Sequence, residues 1–268
     1  MDNAQDILSE VVTIARSAGD AILAYYRRDL IVLQKPDHSP VTEADLAANA
    51  IITAALTAQF PWPVLSEEAS DPGLHIRQSW QTYWLIDPLD GTKEFIKGND
   101  EFTVNIALIQ QGRPVLGVVF APALDVLYYA STDSHACVVR NDQTRILAVR
   151  EDPSNDWHLI TGRSTPKPRL TQFIANITVG QVSHLGSSLK ICHIAEGLAD
   201  LYPRMGKTGE WDTAAAQVVL EAVGGHVVDF DGAPLRYNQT HDLLNPEFIA
   251  IGFLAPDLIA TLKQLSSE

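Results

Sequence analysis

The chain has 268 residues, of which 46% are hydrophobic and 19% charged, with a formal net charge of -14. That length buries a full core and suits one large domain or two lobes of ordinary size. The composition is that of a soluble globular protein, no apolar run approaches the roughly 20 residues of a bilayer span, and the acidic balance excludes long nucleic acid, whose binding rests on basic surface.

In chain order, Met1-Asp2-Asn3-Ala4-Gln5-Asp6 is acidic and lacks the basic start and apolar stretch of a secretory signal, so a cytoplasmic location is expected. Residues 5–26 carry Ile7, Leu8, Val11, Val12, Ile14, Ala15, Ala18, Ile22 and Leu23 mostly three and four apart, an amphipathic helix that Gly19 weakens. After a loop containing Lys35-Pro36-Asp37-His38-Ser39-Pro40, Thr42 with Asp45 three residues on reads as an N-cap and an acidic third residue, opening a helix to about Gln59. Phe60-Pro61-Trp62-Pro63 stops it, and Val64-Leu65-Ser66 is a short strand that delivers Glu67-Glu68. Tyr83 to Ile86 reads as a buried strand whose continuation Pro88 blocks, with Gly91-Thr92 as a tight turn.

Strands are predicted at Phe102 to Ile109 and Val115 to Pro122, joined by the hairpin-length Gln110-Gln111-Gly112-Arg113, then at Val126 to Ala130, Ala136 to Arg140 and Arg145 to Val149, in a mainly antiparallel sheet. The polar stretch Glu151 to Asp156 marks a lobe boundary, giving lobes of residues 1–152 and 153–268. The second lobe is predicted to hold a strand at Trp157 to Thr161, a helix at Pro168 to Ala175, a helix opened by Gly186-Ser187-Ser188 and running through Ala195, and a helix starting at Trp211 that ends at Gly224-Gly225. His226 to Phe230 is a strand, with Asp231-Gly232 as its turn. Cys137 and Cys192 lie outside any C-x-x-C pattern and imply neither a disulfide framework nor zinc.

The chemistry-bearing stretch is Asp87-Pro88-Leu89-Asp90-Gly91-Thr92, which sets two carboxylates three residues apart at the end of an apolar strand. Such acids repel each other without a cation, and hard oxygen ligands of this kind suit Mg²⁺, which needs only a few carboxylates together with phosphate oxygens. Glu67 and Asp212 complete a set able to hold two ions about 3.5–4 Å apart, the arrangement that clamps attacking and leaving oxygens in phosphate hydrolysis. Taken singly, Asp212 suits a helix N-cap as well as a ligand, and Glu67 suits a solvated surface.

Other motifs fail. Gly206-Lys207-Thr208 would end a P-loop, but the required first glycine falls on Leu201. A calcium loop begun at Asp87 needs Gly and Glu where Thr92 and Gly98 stand. Gly186-x-Ser188-x-Lys190 lacks the closing glycine of a nucleophile elbow.

Asp87 to Thr92, Trp211-Asp212-Thr213-Ala214-Ala215 and the paired glutamates together resemble the inositol monophosphatase superfamily of magnesium-dependent, lithium-inhibited phosphatases, over nearly the whole chain. Leu65-Ser66-Glu67-Glu68, Gly91-Thr92-Lys93-Glu94-Phe95, Gly186-Ser187-Ser188-Leu189-Lys190 and Leu201-Tyr202-Pro203-Arg204 are most similar to its CysQ-type 3'(2'),5'-bisphosphate nucleotidases. The resemblance implies a mixed α/β fold, a two-lobe layered αβαβα sandwich of the sugar-phosphatase type, with the site in the cleft between lobes.

It also implies two or three Mg²⁺ ions, one held by Glu67, Asp87 and the Leu89 carbonyl and a second by Asp87, Asp90 and Asp212. Thr92 would position the attacking water while Asp45 accepts the Thr92 hydroxyl proton, and the Gly91 and Thr92 N–H groups would hold the scissile phosphate. Glu67, Leu89, Asp90 and Asp212 thereby also face the substrate. Lys190, with Ser187 or Ser188, would meet a second phosphate, and Arg204 is a further candidate. The favoured reaction is removal of the 3'-phosphate of adenosine 3',5'-bisphosphate to give AMP, with 3'-phosphoadenylyl sulfate as a second substrate. The alternatives are an inositol or sugar monophosphatase and a non-catalytic nucleotide- or metal-binding protein. Relatives of this branch can associate peripherally with the inner face of the inner membrane, which nothing in this acidic chain specifies. Oligomeric state is left open.

Overall fold

The computed structural model describes residues 4–28, 32–34, 40–151, 156–163 and 168–253. The predicted lobe boundary at 152/153 and the loop residues Lys35 to Ser39 lie outside them.

Helix α1 (Ala4–Leu23) buries Leu8, Val11, Ile14, Ala15, Ala18 and Ile22, the stripe read from its spacing, and the chain leaves it through turns that include Arg27 at φ 58°. Gly19 has a packing reason that periodicity cannot reveal. A Cβ there would lie 2.4 Å from the Phe120 ring, so the missing side chain lets the helix sit down on the sheet. The short pair β1 (Val32–Gln34) and β2 (Pro40–Thr42) precedes α2 (Glu43–Gln59). Thr42 caps α2 as predicted. Its hydroxyl accepts from Ala44 N, and the Asp45 carboxylate accepts from Thr42 N at 2.7 Å.

Then follow β3 (Val64–Ser66), the short helix α3 (Leu74–Arg77), β4 (Thr82–Asp90), α4 (Thr92–Ile96), β5 (Thr103–Gln110), β6 (Arg113–Ala121), β7 (Val126–Ser131), β8 (Cys137–Arg140) and β9 (Gln143–Ile146). The seven strands β3 to β9 form one sheet in sequence order, parallel only between β3 and β4. The β5–β6 hairpin turns on Gln111 and Gly112, both at positive φ, as a two-residue turn between right-twisted strands requires. Pro88 does not end β4. The strand passes through it to Asp90, and pairing with β5 steps from Asp87↔Asn105 to Asp90↔Thr103, so one extra residue is bulged where the proline has no N–H to give.

The second sheet has the order β11-β10-β12-β14-β13, from β10 (Trp157–Thr161), β11 (Val179–His184), β12 (Leu201–Arg204), β13 (His226–Asp229) and β14 (Phe248–Ile251). Its helices are α5 (Pro168–Ala175), α6 (Leu189–Ala195) and α7 (Ala214–Glu221). The helix predicted from Trp211 is divided: a 3₁₀ turn, Glu210–Asp212, comes first and Thr213 is the N-cap of α7. Strands β11, β12 and β14 were not predicted. Gly180 and an exposed face hide β11, and Pro203 disguises β12, whose ladder to β10 is confined to Leu201.

Alternation along the central strands explains the layering. Trp84, Ile86, Val104, Ile106 and Leu108 face α1 and α2, whereas Tyr83, Leu85, Ala107 and Ile109 join the core that contains α6, α7 and the near face of the second sheet. Both faces are buried, so β4 and β5 read as continuous apolar runs. Leu170 and Phe173 of α5 cover the far face of the second sheet. The order is the expected αβαβα. At Gly117 on β6 an added Cβ would stand 2.2 Å from Ala215 O, so α7 rests directly on the sheet backbone. Among the described residues no helix is long and apolar enough to cross a membrane.

Candidate active site

Parallel pairing of β3 with β4 sets Ser66 beside Ile86, and the Glu67 amide donates to Ile86 O at 3.2 Å, so Glu67 emerges next to Asp87. Asp212 arrives from the 3₁₀ turn ahead of α7. A carboxylate oxygen from each of Glu67, Asp87 and Asp212 lies within 4.8 Å of the others. Asp212 is not the helix cap that its position also suited; its Oδ2 accepts from Gly209 N at 3.0 Å, one turn back. Asp87 is buried, with Oδ1 accepting from Leu89 N at 3.0 Å and Oδ2 left without a hydrogen-bond partner.

Asp90 stands outside that triad but in its field. Burial, then Glu67, Asp90 and Asp212, push the Asp87 carboxyl well above the ordinary range, and burial with Asp90 and Glu67 does the same to Asp212. Asp90 is raised to about 6 by burial, opposed by the charge of Lys190 and the Ser188 N–H. Acids that disfavour one another's ionisation in this way are a destabilised group until a cation joins them.

Past Asp90 the chain turns at Gly91, whose φ of 91° favours glycine and where a Cβ would meet Glu101 O at 3.1 Å. The turn delivers Thr92, the first residue of α4. Thr92 Oγ1 lies 3.3 Å from Asp45 Oδ1 and 3.3 Å from Leu89 O. The other Asp45 oxygen accepts from Thr42 N and, at 2.6 Å, from Thr42 Oγ1, which fixes the carboxylate that faces Thr92.

A cavity of about 220 Å³ is lined by Asp90, Gly91 and Asp212 together with Lys190, Arg204, Arg163 and Tyr202. Asp90 and Asp212, of the predicted acids, thus share one pocket with the predicted cations Lys190 and Arg204. Lys190, which sequence alone left as a surface lysine or a phosphate ligand, is buried; its Nζ donates to Ser187 O at 2.5 Å and stands 5.2 Å from the Tyr202 ring centroid. Burial lowers its pKa and Asp90 opposes that shift. Arg204 Nη2 donates to Lys207 O at 2.9 Å, and its Nε is buried without a hydrogen-bond partner.

Ser187 Oγ stays close to its own backbone, accepting from Leu189 N at 3.4 Å. The Ser188 hydroxyl neither caps α6 nor stays free for a ligand: it donates to Asn105 Oδ1 at 2.7 Å and stands 2.9 Å from Thr103 Oγ1, while its N–H donates to Asp90 Oδ2 at 2.6 Å.

Four residues of this neighbourhood were missed. Thr103 and Asn105 are buried polar residues inside an apolar strand, which is a signal that they have a partner. Glu101 pairs with Arg163 through both carboxylate oxygens and accepts from Gly186 N at 2.7 Å, which no local pattern marks.

The inositol monophosphatase family profile matches residues 3–266. The chain is 47% identical over 248 residues to the 3'(2'),5'-bisphosphate nucleotidase CysQ of Salmonella typhimurium, covering 90% of this chain and 98% of that protein. It is 46% identical, with the same coverage, to the protein of that name from Escherichia coli K12. Among solved structures, CysQ of Bacteroides thetaiotaomicron superposes with a TM-score of 0.81 at 36% identity, covering 94% of this chain and 99% of that one. An IMPase of Thermotoga maritima gives 0.79 at 26%, covering 98% of each. The chain belongs to the inositol monophosphatase family.

Proposed function

We propose that this protein is a cytoplasmic Mg²⁺-dependent 3'(2'),5'-bisphosphate nucleotidase that removes the 3'-phosphate of adenosine 3',5'-bisphosphate, giving AMP and phosphate, with 3'-phosphoadenylyl sulfate as a second substrate. The observation that carries this reading is that one pocket is lined both by the carboxylates of Asp90 and Asp212 and by Lys190 and Arg204. Metal-bridged phosphate suits the carboxylates and a second phosphate suits the cations. The curated relatives of that name support the choice of substrate. In this reading the chain divides into lobes 1–152 and 153–268, with the pocket between them.

The donors fit the metal. Glu67, Asp87, Asp90, Asp212 and the Leu89 carbonyl are all hard oxygens, and the buried Asp87 Oδ2 meets no hydrogen-bond partner among the described residues. When bound, two or three Mg²⁺ ions would polarise the phosphoryl group and the attacking water and stabilise the departing ribose oxygen. The protein groups manage position and protons. With its hydroxyl hydrogen directed at Asp45 Oδ1, Thr92 Oγ1 keeps lone pairs to accept a hydrogen bond from water, which turns the oxygen of that water towards phosphorus. Asp45, held by Thr42, is the proton acceptor of the pair. Gly91 and Thr92 present backbone N–H groups to the scissile phosphate. Arg204 Nε offers a hydrogen bond to the 5'-phosphate, which Lys190 attracts by charge.

Phosphate release from adenosine 3',5'-bisphosphate, inositol monophosphate and fructose bisphosphate, with Mg²⁺ and with or without Li⁺, tests the reading. Preference for the nucleotide, loss with chelator and inhibition by Li⁺ are expected. Preference for inositol phosphate would replace the substrate, and no turnover of any of them would leave a binding protein.

A further inference from the structure

The Ser187–Ser188 peptide is held at both ends by charge. Its carbonyl accepts from Lys190 Nζ at 2.5 Å, and its N–H donates to Asp90 Oδ2 at 2.6 Å. Ammonium, carbonyl, N–H and carboxylate therefore form one chain through a single planar amide. The same chain crosses from α6 to the end of β4, between residues 98 positions apart. Ser187 has φ 47°, a left-handed conformation uncommon for a residue with a side chain, and it sets the direction of this peptide. The Ser188 side chain adds its bond to Asn105, so the peptide has little freedom to turn away.

We propose that Lys190 is a positioning residue for Asp90, acting through the peptide bond between Ser187 and Ser188. An ammonium on the carbonyl polarises the amide and strengthens the bond its N–H gives to the carboxylate. Asp90 is thereby oriented by Lys190 through the backbone amide. A phosphate that draws Lys190 towards itself also alters the hold on Asp90, so the phosphate-binding cation and the carboxylate are linked. The inference rests on the metal-binding role proposed for Asp90.

The sign of one measurement separates positioning from plain charge. Deleting a cation beside several carboxylates by itself tightens the binding of another cation, whereas losing the partner that orients a ligand weakens it, typically by 10–100-fold. Mg²⁺ affinity is to be measured by calorimetry on the full chain without nucleotide, for the wild type and Lys190→Met. Binding about 10-fold weaker in the variant is expected; equal or tighter binding overturns the inference. If the wild type itself binds no Mg²⁺, the metal-site reading fails, and this inference with it. The Ser188 amide proton of the wild type, followed by NMR, needs no variant to fold. A far-downfield, slowly exchanging resonance is expected, and an ordinary shift with fast exchange overturns the proposal.

Discussion

Thr92 Oγ1 lies 3.3 Å from Asp45 Oδ1 although 47 residues separate them, and the second Asp45 oxygen is already occupied by Thr42. The capping box that starts α2 thus also aims a carboxylate at the first residue of α4. At 3.3 Å the contact is longer than the usual 2.5–3.0 Å O–H···O bond, and such contacts tighten as substrate binds.

Removing the Thr92 hydroxyl should therefore separate chemistry from binding. Thr92→Ala is expected to lower kcat by about 10²–10⁴, the range for a lost proton-transfer group, with Mg²⁺ affinity unchanged. Thr92→Ser keeps the oxygen and should retain most activity. Steady-state kinetics with calorimetric Mg²⁺ titration checks both.

The acid cluster predicts how metal stabilisation varies with pH. A carboxyl whose pKa is raised by folding binds its proton more tightly in the fold than in the unfolded chain. The stability linked to it is complete below the unfolded value of 3.8 and is lost as pH rises towards the folded value, about 6 for Asp90. Asp87 and Asp212 are raised well above 3.8 and extend that loss to higher pH. His193, buried and lowered from 6.5, works in the opposite direction but is not part of the cluster. The difference in melting temperature between Mg²⁺ and chelator should thus grow from pH 5.5 to pH 8. A flat difference measured by scanning calorimetry would count against the cluster as the metal site.

Asp87→Asn removes one member of the repelling group at nearly constant volume. Without metal the variant should be more stable than the wild type, and with saturating Mg²⁺ less stable, because it gains little from the ion. Thermal melts in chelator and in Mg²⁺ give both signs.

Arg204→Ala tests the second phosphate. Its buried Nε has no hydrogen-bond partner among the described residues, and charge-assisted bonds of this kind contribute about 1.5–3 kcal/mol. The kcat/KM for adenosine 3',5'-bisphosphate should fall by about 10-fold or more, and that for adenosine 3'-monophosphate should change little. Equal losses on both substrates would remove Arg204 from recognition of the 5'-phosphate.

Much of the site is legible in sequence because its parts are local. Thr42 with Asp45 is a cap signature, Asp87 to Thr92 combines an apolar strand with paired acids and a turn, and Lys190 follows Gly186-Ser187-Ser188 within one helical turn. What the local pattern leaves out is where distant segments touch. The bond from Ser188 to Asp90 and those that fix Ser188 to Thr103 and Asn105 join segments more than 80 residues apart, and no periodicity encodes them. Pro88 misled for a related reason: a proline ends a strand unless the partner strand accommodates a bulge, and only the pairing with β5 reveals that it does. Gly19 likewise looks like a weakness until Phe120 is seen against it.

Crystals soaked in Mn²⁺, which shares the oxygen preference of Mg²⁺ and scatters anomalously, test the central claim. Anomalous density bounded by the Glu67, Asp87 and Asp212 carboxylates is the predicted result. An active enzyme saturated with Mn²⁺ that shows no density there would contradict the account.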